Sequence, residues 1–306
     1  MTRSGKRLPA SGLLPADTTE DVRAAGAAVA LLPVGSFEQH GPYLPLVTDT
    51  VVACAVAREL AAVYPVQCLP PITLSCSHEH AGWPGTVSLS AATLCAVVAD
   101  VAASLRRSGV RGLVLVNGHG GNYVLRNVVQ ESAGSGTRMA LFPGPEDWDA
   151  ARKGAEIRTS SRSDMHAGEV ETSILLHDQP ELLRPGYETA DHLADERRHL
   201  LTLGMRPYTE SGVIGRPSLA SAEKGRKLLA GLVDSFADCL ALFAGETVEA
   251  AEAGKAAEPA EAGHGTSAAP AALGRTTAAA GGPHGRPGSP GPGAAPASVD
   301  AGRGTR

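Results

Sequence analysis

Residues 27–64 read AAVALLPVGSFEQHGPYLPLVTDTVVACAVARELAAVY, and this stretch decides the fold. The apolar, β-branched run that ends at Val34 and is closed by Gly35 has the length and composition of a buried strand. From Thr48 to Tyr64 the apolar residues recur at helical spacing, with Asp49 standing where a helix N-cap is expected. Strand, loop and helix therefore follow one another directly. The loop between them carries Glu38 and His40, so a carboxylate, an imidazole and a second carboxylate fall within twelve residues.

Working outward, the same order returns. VQCLPPITL (66–74) reads as a strand, SCSHEHAGWPGTVSLS (75–90) as a loop, and Ala91 to Arg107 as a helix. GLVLVN (112–117) is a further strand followed by GHGGNYVLRNVVQESA (118–133), and RMALF (138–142) is a fourth strand. Strands and helices alternating at this interval predict an α/β fold with a mostly parallel sheet covered on both faces. Ligands in such sheets gather at the carboxyl ends of the strands. Glu38 and His40 follow one strand, the Glu79-His80 pair follows the next, and His119 follows a third, so residues remote in sequence converge on one rim.

Composition bounds the rest. With 306 residues and 43% hydrophobic content the chain can bury a large core. From residue 246 it changes character, becoming rich in Ala, Gly and Pro without an aromatic residue, so the expected organisation is one folded domain over 1–245 and a disordered tail over 246–306. The net charge of -5, with scattered Lys and Arg, argues against nucleic acid as a partner. No uninterrupted apolar run is long enough for a bilayer, and the expectation is a cytoplasmic protein without a membrane partner. Five cysteines, none in a CxxC pair, make a thiolate zinc site improbable.

Carboxylate and imidazole donors without thiolate suit Zn, Fe(II) or Mn, and an aspartate can bridge two ions. Each residue also has a plainer explanation. Asp49 taken alone reads as an N-cap, and His119 in NGHGGN could belong to a phosphate-cradling turn, although the GxGxxG and GK[ST] spacings are missing. In SDMHAGEVETSILLHDQPELL (163–183), His166 precedes a helix whose inward positions are Val170, Ile174 and Leu175. Residues three apart share a helix face, which favours Glu169 over Glu171 as the partner of His166. Periodicity does not decide between them. His78, His177, His192 and His199 read as surface or structural residues.

Four motifs in order, VGSFEQHGPYLPLVTDT, SHEHAGWPGTVSL, VLVNGHGGN and DMHAGEVETSILL, resemble the creatininase family of metal-dependent amidohydrolases. The resemblance implies a three-layer α/β/α sandwich, a homo-oligomer, and a centre of two divalent ions, Fe(II) or Zn ahead of Mn, hydrolysing a C–N bond. It implies Glu38 and His119 on one ion, Asp49 as the bridge and His40 on the other ion. Glu171, at the invariant position of the family's HAGxxETS motif, is the implied fifth ligand, and His166 the residue that protonates the leaving nitrogen. Creatinine-hydrolysing members carry a ligand glutamate where this chain has Gly121, which points away from creatinine. Tyr43 and Val47 stand where relatives often carry His and Asp, a departure expected to alter the pocket lining. Within the family the wording is most similar to the mycofactocin-system branch, whose substrate is a modified precursor peptide trimmed of its C-terminal Val-Tyr pair. The other readings are a small-heterocycle amidohydrolase and a catalytically silent metal-binding subunit.

Overall fold

The computed structural model describes residues 13–244 except 135, so the tail expected over 246–306 lies outside the described residues. Among the described residues four strands, β1 (Val29–Val34), β2 (Gln67–Cys68), β3 (Gly112–Asn117) and β4 (Arg138–Phe142), form one sheet of order β2-β1-β3-β4. Every pair is parallel. After β1 the chain crosses out to β2 and then returns to the other side of β1 as β3. The carboxyl ends of β1 and β3 are therefore the point where the winding reverses, the usual ligand crevice of an open parallel sheet. Their register sets Val34 opposite Asn117, so both strands end at the same height.

The helices are α1 (Thr19–Ala25), α2 (Thr48–Val63), α3 (Ala91–Arg107), α4 (Val124–Glu131), α5 (Pro145–Gly154), α6 (Glu169–Asp178), α7 (Leu200–Leu203) and α8 (Ala222–Ala241). Alternation along the strands sorts side chains into two cores. Val29, Leu31, Val114, Val116 and Phe142 point to one face and pack with apolar residues of α2, α6 and α8. Ala30, Leu32, Val34, Leu113 and Leu115 point to the other and pack with α3 and Leu125 of α4. This is the three-layer α/β/α arrangement. Each fully buried Val or Leu contributes about 1.5–3 kcal/mol of transfer free energy, so neither layer can be stripped from the sheet at small cost.

Two local expectations change. The strand expected over 66–74 enters the ladder only at Gln67 and Cys68, because Pro70 and Pro71 have no N–H to donate. Pairing resumes irregularly, with Ile72 N–H on the Pro33 carbonyl and Gly35 N–H on the Ile72 carbonyl, both at 2.9 Å. Asp49 is not the N-cap of α2 either: Val47 holds that place without a capping side chain, and Asp49 sits in the first turn. Its carboxylate is thereby free for other partners. No helix among the described residues is long and apolar enough to cross a membrane.

Candidate metal centre

The loops leaving β1 and β3 both press against the first turn of α2. A Cβ on Gly118 would come within 2.3 Å of the Asp49 carbonyl, so only glycine lets β3 end this close to the helix. The approach gathers Glu38, His40, Asp49, His119 and His166, each 5% exposed or less, around one point.

Backbone carbonyls fix the histidine tautomers, since a carbonyl can only accept. His40 Nδ1 donates to the Glu38 carbonyl at 3.0 Å, which leaves Nε2 to face Asp49 Oδ1 at 3.1 Å. His119 Nε2 donates to the Cys76 carbonyl at 2.8 Å, and its Nδ1 faces Asp49 Oδ2 at 3.0 Å. Each carboxylate oxygen of Asp49 thus meets the one imidazole nitrogen not committed to a backbone carbonyl, and Ser36 Oγ donates to Oδ2 at 2.5 Å. His166 Nε2 donates to the Gln39 carbonyl at 2.6 Å, turning Nδ1 to within 3.8 Å of Glu38 Oε1. The backbone of His166 is itself held by a bridge to Ile214.

The two candidate glutamates of α6 diverge. Glu171 turns inward: Oε2 accepts the Ala167 N–H at 2.5 Å and Oε1 lies 4.0 Å from His40 Nε2. Glu169 turns away, its carboxylate taking the N–H groups of Arg158 and Thr159, the Thr159 hydroxyl and the Lys224 ammonium. The spacing argument for Glu169 fails because His166 is not on the helix. Between them Ala167 adopts φ +50°, a left-handed conformation costing an alanine about 1–2 kcal/mol. Its N–H on Glu171 and the Tyr43 hydroxyl on its carbonyl hold it there. Tyr43 is wholly buried, Val47 packs against the same core, and neither lines the cavity beside the centre, so this departure changes the packing rather than the pocket lining.

Both oxygens of Glu38 are buried and neither receives an aligned hydrogen bond, although His80 Nε2 lies 3.1 Å from Oε1 and His119 Nε2 3.2 Å from Oε2. A carboxylate in that condition is costly unless a cation meets it, and burial pushes its pKa up to about 8. Burial also raises Glu171, to about 7. For Asp49 burial acts in the same direction, but His40 and His119 overcome it and hold the group well below the usual carboxylate range. Burial disfavours charge on His40 and His119, yet the surrounding carboxylates raise them to about 9 and about 10. Among the described residues, three overlapping sets, Glu38/His40/Asp49, His40/His166/Glu171 and Glu38/His80/His166, bring ligand atoms within 4.8 Å of one another. The donor set is all oxygen and nitrogen, it contains an orphaned carboxylate and a two-sided aspartate, and it fits divalent ions of the Zn, Fe(II) and Mn class.

From the sequence, Glu79 and His80 read as groups that support the ligands or orient substrate, with a structural hydrogen-bonding role equally open. The structure brings its Nε2 to 3.1 Å from Glu38 Oε1, and burial followed by the neighbouring His40 and His119 lowers its pKa to about 3, leaving it neutral. Glu79 Oε1 lies 3.9 Å from His119 Nε2, in space that a Cβ at Gly121 would enter at 2.1 Å. Beside the centre a cavity of about 430 Å³ is lined by His119, Tyr123, Arg126, Trp148 and Glu171. It reaches the ligand cluster at His119 and Glu171.

The chain is similar to known proteins along most of its described length. A family model described as creatinine amidohydrolase matches residues 16–240. The mycofactocin precursor peptide peptidase of Mycobacterium ulcerans is 34% identical over 78% of this chain and 93% of that protein. The creatinine amidohydrolase of Pseudomonas putida is 29% identical over 71% of this chain and 90% of that protein. A solved structure described as the Mn form of creatininase superposes with a TM-score of 0.62 at 26% identity, covering 75% of this chain and 97% of that one.

Proposed function

The chain belongs to the creatininase family and is a hydrolase of amide bonds, and from that premise we propose that it releases the modified C-terminal Val-Tyr pair from the mycofactocin precursor peptide. Glu38, His40, Asp49, His119 and Glu171 are the proposed ligands of two divalent ions, Fe(II) or Zn ahead of Mn. Such ions supply Lewis-acid chemistry, acidifying water and polarising a carbonyl.

The protein's own groups do the rest. Asp49 offers one oxygen toward His40 and one toward His119, the disposition of a bridging carboxylate. Glu38 and His119 would serve one ion, His40 and Glu171 the other. His166 is kept neutral by burial and by the neighbouring His40 and His80, and the Gln39 carbonyl leaves its Nδ1 unprotonated. That nitrogen can accept the proton lost by the attacking water and deliver it to the leaving amine. Working as a cytoplasmic homo-oligomer is part of the same proposal.

The observation that carries the peptide reading is the cavity of about 430 Å³ opening over His119 and Glu171, with Tyr123 52% exposed at its wall. It falls within the size range of sites for ligands well above a single small ring. Mass spectrometry of the modified precursor, incubated with metal-loaded enzyme, is expected to show loss of the terminal pair. An intact precursor alongside rapid creatinine hydrolysis would overturn this reading in favour of a small-amide substrate.

A further inference from the structure

His80 closes a short 3-10 turn, His78–His80, and its ring is 1% exposed between two partners. Nδ1 lies 2.9 Å from Gln39 Nε2, and Nε2 lies 3.1 Å from Glu38 Oε1. Which nitrogen carries the hydrogen follows from Gln39. Its amide oxygen accepts the Gly41 N–H at 3.0 Å, while its amide nitrogen also reaches the Gly212 carbonyl at 3.3 Å. A flipped amide would set oxygen against the Gly212 carbonyl and NH₂ against the Gly41 N–H, losing both bonds. The NH₂ therefore faces Nδ1 and donates to it, so Nδ1 is bare and Nε2 carries the hydrogen.

The other three histidines are arranged the opposite way. Carbonyls of Glu38, Cys76 and Gln39 take a hydrogen from His40 Nδ1, His119 Nε2 and His166 Nε2, which leaves the other ring nitrogen of each as the one that can give a lone pair to an ion. At His80 a donor takes the place of the carbonyl, and a hydrogen points where a lone pair would be needed to bind an ion.

We propose that His80 is a positioning residue and not a metal ligand: Gln39 holds it with Nε2–H toward Glu38 Oε1, which orients the Glu38 carboxylate so that Oε2 is presented beside His119. Glu38 Oε2 and His119 Nε2 are 3.2 Å apart, so a rotation of the carboxylate would disturb that side of the centre first. Gln39, between two proposed ligands in sequence, acts one step further out by fixing the His80 tautomer.

The inference rests on the two-ion reading of the centre, and its test is chosen to separate the two. Long-range ¹H–¹⁵N correlation spectra of the full chain, metal-free and zinc-loaded, are expected to show the Nε2–H tautomer at His80 in both. Gln39→Glu, whose carboxylate can only accept, is expected to move the hydrogen to Nδ1. His80→Ala is expected to weaken binding of one zinc at least tenfold and lower kcat, with KM for the precursor peptide within threefold. His80→Gln, whose amide NH₂ can replace the donor, is expected to recover most of both and also serves if the alanine variant fails to fold. Loss of the Nε2–H signal on zinc loading, or ¹¹³Cd coupling to His80, would make it a ligand and overturn the proposal. Unchanged zinc affinity and kcat in His80→Ala would overturn it as well. A precursor left uncut by the wild-type enzyme would count against the substrate reading alone, since the tautomer and zinc measurements need no substrate.

Discussion

Glu38 and Glu169 are both completely buried carboxylates of one protein, and they are opposites. Glu169 is surrounded by donors: two backbone N–H groups, a threonine hydroxyl and the Lys224 ammonium. Burial works to raise its pKa, and Lys224 with Thr159 reverses that, holding the group below its ordinary value. Glu38 has only the ring nitrogens of His80 and His119 near its oxygens and no aligned hydrogen bond to either, and burial raises it to about 8. A buried carboxylate whose partners are complete is part of the framework tying α6 to α8. One whose partners are incomplete is where a cation belongs.

If this contrast is right, the largest effects come from the incomplete side. Asp49→Ala or His40→Ala is expected to reduce turnover by three orders of magnitude or more and to lower bound metal, measured by elemental analysis beside precursor cleavage. Full metal content and full rate in both variants would dissolve the contrast. Gly121→Ala comes next, because its Cβ would meet Glu79 Oε1 at 2.1 Å and His119 Nε2 at 2.4 Å. Displacing His119 should cost on the order of a hundredfold in metal affinity, at the upper end of the effects of disturbing ligand orientation. Competition with a chromophoric chelator would read it.

Protonation sharpens the comparison further. Glu171, Glu38, His40 and His119, at about 7, about 8, about 9 and about 10, all lie above their ordinary values and hold protons that an arriving ion must displace. The sign is therefore that affinity rises with pH and levels off above the highest of these values, by up to about tenfold per pH unit for each proton released. Calorimetry in buffers of different ionisation enthalpy counts the protons. A flat profile would contradict the assignment of these groups as ligands.

The complete side gives the smallest effect on metal. Glu169→Gln is expected to leave metal content unchanged but to destabilise the fold by about 3 kcal/mol, since it strands a mostly buried Lys224. Glu171→Gln should do the reverse, losing metal with little change in the denaturation midpoint. Exchange of the two outcomes would return Glu169 to the centre.

Much of this was legible in the sequence, for reasons that differ by residue. The strand and helix periods at 27–64 and 112–131 locate the sheet and its rim because alternation and helical spacing are properties of the local chain. β2 was overestimated because Pro70 and Pro71 interrupt the ladder in an otherwise strand-like run. The choice between Glu169 and Glu171 defeated spacing arguments because the helix begins after His166, and a left-handed Ala167 is not visible as a pattern. His80 and Gln39 stayed in the background because their meaning is set by partners 41 to 173 residues away in sequence. The one available signal was that Gln39 lies between two residues of the ligand motif.

The register of β1 on β3 reaches beyond the site itself. With Val34 opposite Asn117, the segments bearing Glu38, His40 and His119 start from a common line. One inserted residue within either strand would advance a ligand by about 3.3 Å and reverse the face of every following side chain. The other end of the sheet has no such constraint. The turn from α3 into β3 runs through exposed Ser108 and Gly109, at the edge farthest along these strands from their carboxyl ends. Added residues there would lengthen a connection without changing the height at which the strands finish. Tags or inserted reporter domains should therefore be tolerated at that turn, while a single extra residue between Val29 and Val34 should not.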